Sequence, residues 1–207
     1  MELSQLLSTP FEPPSLPKAE VLLMAELDDP APDLRRIDQL FGIDPALTLR
    51  LLQLANVRGF KLSGRIHSVS EALALVSLKR LRVLVSEHAV LGARFGPVPG
   101  LAMPQFWQYS VDCAKVARSL AAFLRLNQQA AYTCGLLHGL GLLLMRKNMP
   151  QALVLDVQLP NMGLQRARLE HQVLGFCFTQ VSAGLARHAL LPQVMVDALE
   201  HQHAPFD

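Results

Sequence analysis

Cysteine, aromatic residues and charge are all scarce in this sequence. Of its 207 residues, 17% are charged and 6% are aromatic, whereas 51% are hydrophobic. A chain so rich in apolar side chains can bury a core, which argues against intrinsic disorder. The three cysteines, Cys113, Cys134 and Cys177, lie far apart and form no Cys-x-x-Cys motif. This usage favours small buried thiols in a reduced cytoplasm over a disulfide framework or a zinc site.

A hydrophobic run long enough to cross a bilayer is also missing. The best candidate, residues 130–145, is shorter than the roughly 20 apolar residues that a membrane helix needs. It also contains Thr133, His138 and three glycines, so we interpret it as a buried central helix. The first residues have no basic stretch followed by an apolar one, unlike a secretory signal. We therefore expect no membrane span and a cytoplasmic location.

The common catalytic motifs are absent as well. The sequence has no glycine-rich phosphate loop, no Gly-x-Ser-x-Gly elbow and no zinc-finger spacing. Cys134 and His138 are one helical turn apart, but a thiol in so apolar a segment should stay protonated. We therefore predict no catalytic residue and no cofactor.

Helical patterns dominate what is present. Asp44 followed by Pro45 predicts a helix N-cap with proline in the first turn, and Ser68 with Glu71 predicts a capping box. Further helices are predicted over residues 19–27, 34–41, 78–94, 105–126, 129–148, part of 162–189, and 192–201. No segment resembles a strand ladder, so the predicted fold class is all-α. The glycines and prolines of residues 96–104 predict a boundary between helical subdomains of about residues 15–95 and 103–205.

Charge is distributed unevenly. Residues 1–33 contain seven acidic residues against one lysine, whereas residues 35–94 contain ten lysines and arginines against four acidic residues. A candidate basic patch comprises Arg58, Lys61, Arg65, Lys79, Arg80 and Arg82. The patch suits an acidic protein surface, although a solvated face would have the same composition. Nucleic acid is a weaker alternative, because the net charge is only +2 and aromatic residues are few.

The segment GLLHGLG, residues 135–141, places a histidine and a glycine in the middle of an apolar run. Together with IDPALTLRLLQLANV, EALALVSLKRLRVLV, FWQYSVDCAKVA and LPQVMVDALEHQHAP, it resembles the HD-related output domain (HDOD) family. The resemblance extends over nearly the whole chain, from about residue 16 to 205. This family is a bacterial signalling branch of the HD-domain metal-dependent phosphohydrolases. The resemblance therefore implies a single HD-like helical domain.

The resemblance also implies a degenerate metal site. Its vestigial positions are Tyr109, His138, Gly139, Phe178, His201 and His203. Tyr109 stands where the catalytic relatives have a histidine, Gly139 where they have the aspartate of the His-Asp pair, and Phe178 where metal-binding relatives tend to have a later histidine. A hydrolytic site needs about three protein ligands and an open position for water. The expectation is that the site holds no metal and that the protein is not an enzyme.

His138 is the only HD ligand that is clearly retained. Because an unpaired buried polar group is costly, we expect a neutral, hydrogen-bonded imidazole; a metal ligand and a small-ligand contact are the alternatives. His201 and His203 are candidate late ligands, but a continuous helix would point them in nearly opposite directions, and surface histidines are the alternative. The glycines at 135, 139 and 141 suggest close approach of neighbouring helices.

The function implied by the resemblance is that of a non-enzymatic signalling module. Such domains act through contacts with other signalling proteins, often alongside cyclic-dinucleotide or two-component machinery. The alternative is an HD domain that retains metal-dependent phosphohydrolase activity or nucleotide binding. The two differ in whether the chain holds a metal ion.

Overall fold

The computed structural model describes residues 1–57, 65–155 and 162–203. In these ranges the chain is helical and has no strand, so the predicted all-α fold class is confirmed. The helices are α1 (Leu3–Leu7), α2 (Pro17–Asp28), α3 (Leu34–Gly42), α4 (Pro45–Asn56), α5 (Val69–Leu73), α6 (Leu78–Phe95), α7 (Met103–Phe123), α8 (Gln128–Leu137), α9 (Leu140–Asn148), α10 (Pro150–Val154), α11 (Leu164–Leu174), α12 (Phe178–His188) and α13 (Gln193–Glu200). None of these helices is both long and apolar enough to cross a membrane.

The helices pack mainly in two groups. Helices α2 to α6 contact one another, while α7 packs on α8, and α12 packs on α9 and α13. The short helix α1 precedes the first group but packs against α9 and α12 of the second, where Leu7 lies over Gly184. One hydrophobic core extends through both groups. The division into subdomains at residues 96–104 stays a prediction.

Asp44 connects the non-helical lead-in before α2, residues 10–16, with the start of α4 through hydrogen bonds. Its Oδ1 accepts hydrogen bonds from the backbone N–H groups of Ala46 and Leu47, each at 3.0 Å. Its Oδ2 accepts the N–H of Leu16 at 2.8 Å. The predicted N-cap is therefore present. Complete burial raises the pKa of this carboxyl, and the backbone hydrogen bonds oppose that shift by favouring the charged form.

The capping box predicted at α5 is half present. Ser68 Oγ accepts the N–H of Glu71 at 3.3 Å, as predicted. Glu71 Oε2, however, accepts the N–H of His67 at 2.7 Å and does not bond back to the N-cap. The predicted second bond of the box, from the N–H of Ser68 to Glu71, is therefore wrong, because Glu71 accepts the N–H of the preceding residue instead.

The helix predicted over residues 129–148 is in fact two helices. Helix α8 ends at Leu137 and α9 begins at Leu140. Ser182 of α12 occupies the break: its hydroxyl donates to His138 O at 2.8 Å and accepts the N–H of Gly141 at 2.9 Å. A side chain from a neighbouring helix thus replaces part of the intrahelical hydrogen bonding, which is a known cause of helix kinks.

Two of the three glycines near the break allow helices to touch through their backbones, as predicted. A Cβ on Gly135 would lie 2.7 Å from Ala114 Cα of α7. A Cβ on Gly141 would lie 2.2 Å from Phe178 O of α12. Because real Cβ atoms do not approach so closely, only glycine fits this packing.

The segment expected to hold one helix between residues 162 and 189 holds α11 and α12. Gly175, with φ of +83°, adopts the left-handed conformation that ends α11. The buried Glu170 then accepts the N–H of Phe178 at 2.8 Å and the Nε–H of Arg166 at 2.6 Å. This pair fixes the start of α12, which carries one wall of the candidate site.

Candidate functional site

Five of the six vestigial positions come together in space, with Gly139 directly following His138 in the chain. The rings of Tyr109, on α7, and His138, between α8 and α9, have centroids 5.6 Å apart. Phe178, at the start of α12, and His203, which follows α13, are in edge-to-face contact with centroids 5.7 Å apart. His138 also lies close enough to His203 for their charges to interact. Folding therefore brings α7, the α8–α9 break, α12 and the end of α13 to one place.

His201 lies outside this group. It is exposed at the end of α13 and lines a separate depression with His171 and Cys177. Although α13 ends at Glu200, the two histidines do not converge on one site. Of the two candidate late ligands, only His203 is near His138.

His138 is hydrogen-bonded, as expected. Its Nδ1 donates to Gly135 O at 2.7 Å, which leaves Nε2 as the acceptor nitrogen. Burial lowers the pKa of His138, and the neighbouring His203 lowers it further. Burial lowers the pKa of His203 as well. The imidazole of His138 is therefore neutral at pH 7.

His138 lines an apolar cavity of about 910 Å³ between α7, α8 and α13. The residues that line it include Tyr109, Cys113, Cys134, His138, Met195 and Gln202. Burial raises the pKa of Tyr109, and a hydrogen bond with Cys113 adds to that shift. Burial also raises the pKa of Cys134 to about 12, so this thiol is protonated and is a poor nucleophile.

Gly139 does not lie in an empty ligand pocket. A Cβ at this position would be 2.9 Å from Phe106 Cζ and 3.1 Å from Met162 Sδ. The space into which an aspartate would extend is filled by apolar side chains. No group of three or more histidine, cysteine, aspartate or glutamate side chains within residues 1–57, 65–155 and 162–203 could hold a metal ion. Within those ranges, the residues around His138 do not supply the ligands that a hydrolytic divalent centre needs.

The predicted basic patch is only partly assembled in the described ranges. Arg58 and Lys61 lie outside them. Arg82 turns toward α2, where its Nε is 3.2 Å from Asp28 Oδ1 and its Nη2 donates to Leu27 O. Arg65, Lys79 and Arg80 are exposed.

Intramolecular pairing explains why the charge asymmetry of the sequence is reduced at the surface. Besides Arg82 with Asp28, Arg36 pairs with Glu26 and Arg50 pairs with Glu12, each at 3.2 Å. The acidic N-terminal segment thus covers part of the basic region that follows it. The sequence counts could not reveal this pairing.

Lys79 and Arg80 border a groove between α4 and α6. This α4–α6 groove has a volume of about 770 Å³ and is bordered by Leu54, Val57, Lys79, Arg80, Val83 and Glu87. It is separate from the His138 cavity, and no residue of the described ranges lines both. The sequence indicated its basic residues but not its aliphatic floor.

Buried polar residues that the sequence did not indicate include Ser182 and His88. Ser182 bridges the α8–α9 break, and nothing in its local sequence indicates that role. His88 is fully buried on α6, with Nδ1 3.6 Å from Glu12 Oε2 and neither ring nitrogen hydrogen-bonded within the described residues. Helical spacing could have found it, because Leu81, Leu84 and His88 share the buried face of α6.

Comparisons with known proteins identify the family and the fold of the chain. A family model described as the HDOD domain matches residues 14–205. An uncharacterized protein of Treponema pallidum (strain Nichols) is 25% identical over 195 residues, which are 92% of this chain and 37% of that protein. The chain thus spans well under half the length of this curated relative.

Two solved structures illustrate the likeness of the fold. The MmoQ response regulator from Methylococcus capsulatus superposes with a TM-score of 0.75 at 23% identity, covering 93% of this chain and 79% of that one. A protein from Shewanella amazonensis, named as a candidate phosphohydrolase, gives a TM-score of 0.53 at 28% identity. That match covers 98% of this chain and 72% of the other.

Proposed function

The chain belongs to the HDOD domain family, and on that premise we propose that it is a non-enzymatic signalling module acting through contacts with other proteins. The proposed partners are bacterial signalling proteins, including cyclic-dinucleotide or two-component machinery. Apart from the exposed His201, the vestigial HD positions serve the packing of the fold, with the rings of Tyr109 and His138 in tilted contact at the edge of an apolar cavity. The two helix groups are proposed as subdomains of one HDOD domain.

The observation that carries the proposal is the filling of the ligand space beside Gly139. A lost aspartate could leave a hole that water and a metal ion still enter. Here Phe106 and Met162 close it. An apolar replacement of this kind supports a site without hydrolytic use, because His138 Nε2 alone, among the described residues, is too few ligands to hold a metal ion that activates water.

The experiment is a hydrolysis assay with a matched variant. The purified chain would be incubated with Mn²⁺ and either bis(p-nitrophenyl) phosphate or cyclic di-GMP, beside His138→Ala. We expect equal background turnover for the two proteins, and no transition metal near one equivalent by elemental analysis. Turnover that is present in the natural chain and lost in His138→Ala would refute the proposal.

The alternative function is a residual phosphohydrolase or nucleotide-binding HD domain. Two observations favour it: the 28% identity with a protein named as a candidate phosphohydrolase, and the position of His138 on a cavity large enough for a small molecule. Isothermal titration calorimetry of nucleotides into the metal-free chain distinguishes this alternative from the non-enzymatic module. Saturable binding that His138→Ala abolishes would support the alternative.

A further inference from the structure

The turn between α7 and α8 exposes large apolar side chains. Four of them lie within residues 120–126, which we call the α7–α8 tip: Leu120, Phe123, Leu124 and Leu126. They are 57%, 85%, 60% and 63% exposed, in that order. Single exposed apolar residues are ordinary on a protein surface, whereas a contiguous apolar patch marks a surface that another molecule covers.

The four side chains form one patch. Residues three or four apart on a helix are neighbours, so Leu120 lies next to Phe123 and Leu124 on the last turn of α7. Leu120 and Leu126 both line the His138 cavity, which places them on the same side of the tip. Every residue from 122 to 129 is exposed, so no described part of the chain covers the tip.

The backbone of the tip places an arginine where glycine is usual. Leu126 donates its backbone N–H to Ala121 O at 2.8 Å, and Arg125 donates its own to Ala122 O at 3.3 Å. These two bonds make a Schellman ending, in which the residue after the cap is left-handed and is most often glycine. Here that residue is Arg125, with φ of +56°. The tip thus keeps a charged side chain at a position where glycine would be less strained.

The surroundings of the tip are positive. Residues 113–155 contain five lysines and arginines and no aspartate or glutamate. Arg125 lies within the tip and Arg118 lies two residues before it, and both are exposed. Arg118 stays close to the ring of Tyr132, whereas Arg125 forms no ion pair within residues 1–57, 65–155 and 162–203. An apolar patch beside a positive charge complements a surface that is anionic outside and apolar inside.

We propose that the α7–α8 tip binds reversibly to a lipid bilayer that contains anionic headgroups. Phe123 and Leu124 enter the boundary between headgroups and acyl chains, and Arg125 lies among the lipid phosphates. Burial of apolar side chains and attraction to anionic lipid together bind a protein to the membrane surface without a spanning helix. This inference goes beyond the proposed function, because it concerns where the module gathers and does not depend on which proteins it contacts.

A bilayer suits the tip better than other partners do. A two-fold contact between copies of the chain would bring each Arg125 toward the other, with no carboxylate of residues 113–155 beside them. Nucleic acid would match the charge but would leave the leucines without an apolar partner. A protein would need a pocket shaped to receive Phe123, whereas the fluid interface of a bilayer closes around any protruding side chain.

The test is sedimentation of the whole chain with lipid vesicles. One kind of vesicle is phosphatidylcholine alone, and the other contains phosphatidylcholine and phosphatidylglycerol in equal parts. We expect binding to the mixed vesicles to be about tenfold tighter than to phosphatidylcholine alone. The difference should shrink at high salt, because salt screens the attraction between Arg125 and the headgroups.

Phe123→Trp measures insertion directly. The natural Trp107 is buried in the core, with 2% of its surface exposed. When the mixed vesicles contain brominated acyl chains, which quench tryptophan fluorescence on contact, the fluorescence of the added tryptophan should fall. The fluorescence of the natural chain should stay unchanged. Equal fluorescence of Phe123→Trp with brominated and ordinary lipid would show that the tip does not enter the bilayer.

Two sets of variants separate the apolar contribution from the charge. Phe123→Ser combined with Leu124→Ser should weaken binding to the mixed vesicles about tenfold or more. Arg125→Gly should remove most of the preference for phosphatidylglycerol while leaving the chain as stable as before or more so, because glycine suits the left-handed φ. Arg125→Lys keeps the charge and should keep the preference. A loss of binding in Arg125→Gly therefore has no explanation in a damaged fold.

The controls change comparable residues away from the tip. Val21→Ser alters a valine of α2 that is 68% exposed, and Arg168→Gln removes an exposed charge from α11. Both variants should bind the vesicles as the natural chain does. Circular dichroism checks that each variant is folded.

Three outcomes would overturn the inference. Equal binding to the two kinds of vesicle, or binding that Phe123→Ser with Leu124→Ser leaves intact, removes the role of the tip. A dimer measured by light scattering that dissociates in the same double variant assigns the tip to a second copy of the chain. Absence of sedimentation with either kind of vesicle leaves the proposed signalling function standing and removes the membrane from it.

Discussion

Asp44 joins two parts of the chain near the start of α4. One carboxylate satisfies three backbone N–H groups, two in the first turn of α4 and one on Leu16. Its local role could be predicted from the Asp-Pro pair, because an N-cap is decided by neighbouring residues. The bond to Leu16, 28 positions earlier, could not, because it depends on where the lead-in packs.

Replacing Asp44 with alanine should lower the free energy of unfolding by about 3 kcal/mol, since it removes a cap and strands buried donors. Asp44→Asn should cost less, because its amide oxygen can still accept at the cap. Urea unfolding of the three proteins at pH 7 measures the difference. Equal losses for Ala and Asn would show that the charge of Asp44 matters and its acceptor geometry does not.

At the candidate site, the sequence indicated which residues belong to the site better than it indicated how they are arranged in space. Tyr109, His138, Phe178 and His203 could be named from the resemblance, yet their proximity required the fold. The sequence did not indicate that Phe106 and Met162 fill the space beside Gly139. Those two residues are 33 positions before and 23 positions after the glycine, so no local pattern connects them with it.

At the scale of elements, helices with local start signals were predicted well, and helices shaped by distant contacts were not. Caps at Asp44 and Ser68 mark the starts of α4 and α5. The α8–α9 break depends on Ser182, which lies 44 residues beyond His138. Helix α1, with five residues, was missed because its stability comes from packing on α9 and α12 and not from its own pattern.

The contact of α9 with α12 gives a prediction for this scale. Gly141→Ala would place a Cβ 2.2 Å from Phe178 O and 2.5 Å from the Ser182 nitrogen. Both atoms belong to backbone and cannot rotate away, so the helices must separate, at a cost of about 3 kcal/mol or more. Thermal unfolding followed by circular dichroism measures the loss.

The matched control is Gly42→Ala at the end of α3. A Cβ there meets nothing within 4 Å, so the alanine should be neutral or stabilising by up to about 1 kcal/mol through its helix propensity. If both alanines had the same effect, close backbone packing at Gly141 would not be what requires a glycine.

For the whole molecule, composition was a good guide to the fold class and a poor guide to surface charge. An apolar fraction of 51% with helical spacing leads to a helical core. The count of basic residues, by contrast, overstated the patch, because Arg36, Arg50 and Arg82 pair with acids of the N-terminal segment. Ion pairing between distant residues is set by the final packing, and charge counts along a sequence do not contain it.

The pH dependence of unfolding tests how the buried histidines contribute to the stability of the whole chain. Burial lowers the pKa of His138 and of His203 in the folded protein. As pH falls through the unfolded value of about 6.5, the unfolded chain takes up these protons first, so the free energy of unfolding decreases. The stability that the neutral histidines contribute is fully present above a pH of about 6.5 and is lost as the pH falls below it. For His138, the free energy of unfolding decreases by no more than about 1.4 kcal/mol per pH unit. His203 should contribute less, because it is less buried.

Urea unfolding at pH 7.5 and pH 5.5 should therefore show a smaller loss of stability in His138→Gln than in the natural chain. Glutamine can still hydrogen-bond to Gly135 O but has no proton to gain. The raised pKa values of Glu20 and Asp44 act in the opposite direction, but they are common to both proteins and cancel in the difference. His188→Gln, at an exposed position on α12, is the control and should keep the dependence of the natural chain. An unchanged dependence in His138→Gln would mean that His138 stays accessible to protons in the folded state, and that the cavity beside it is wet.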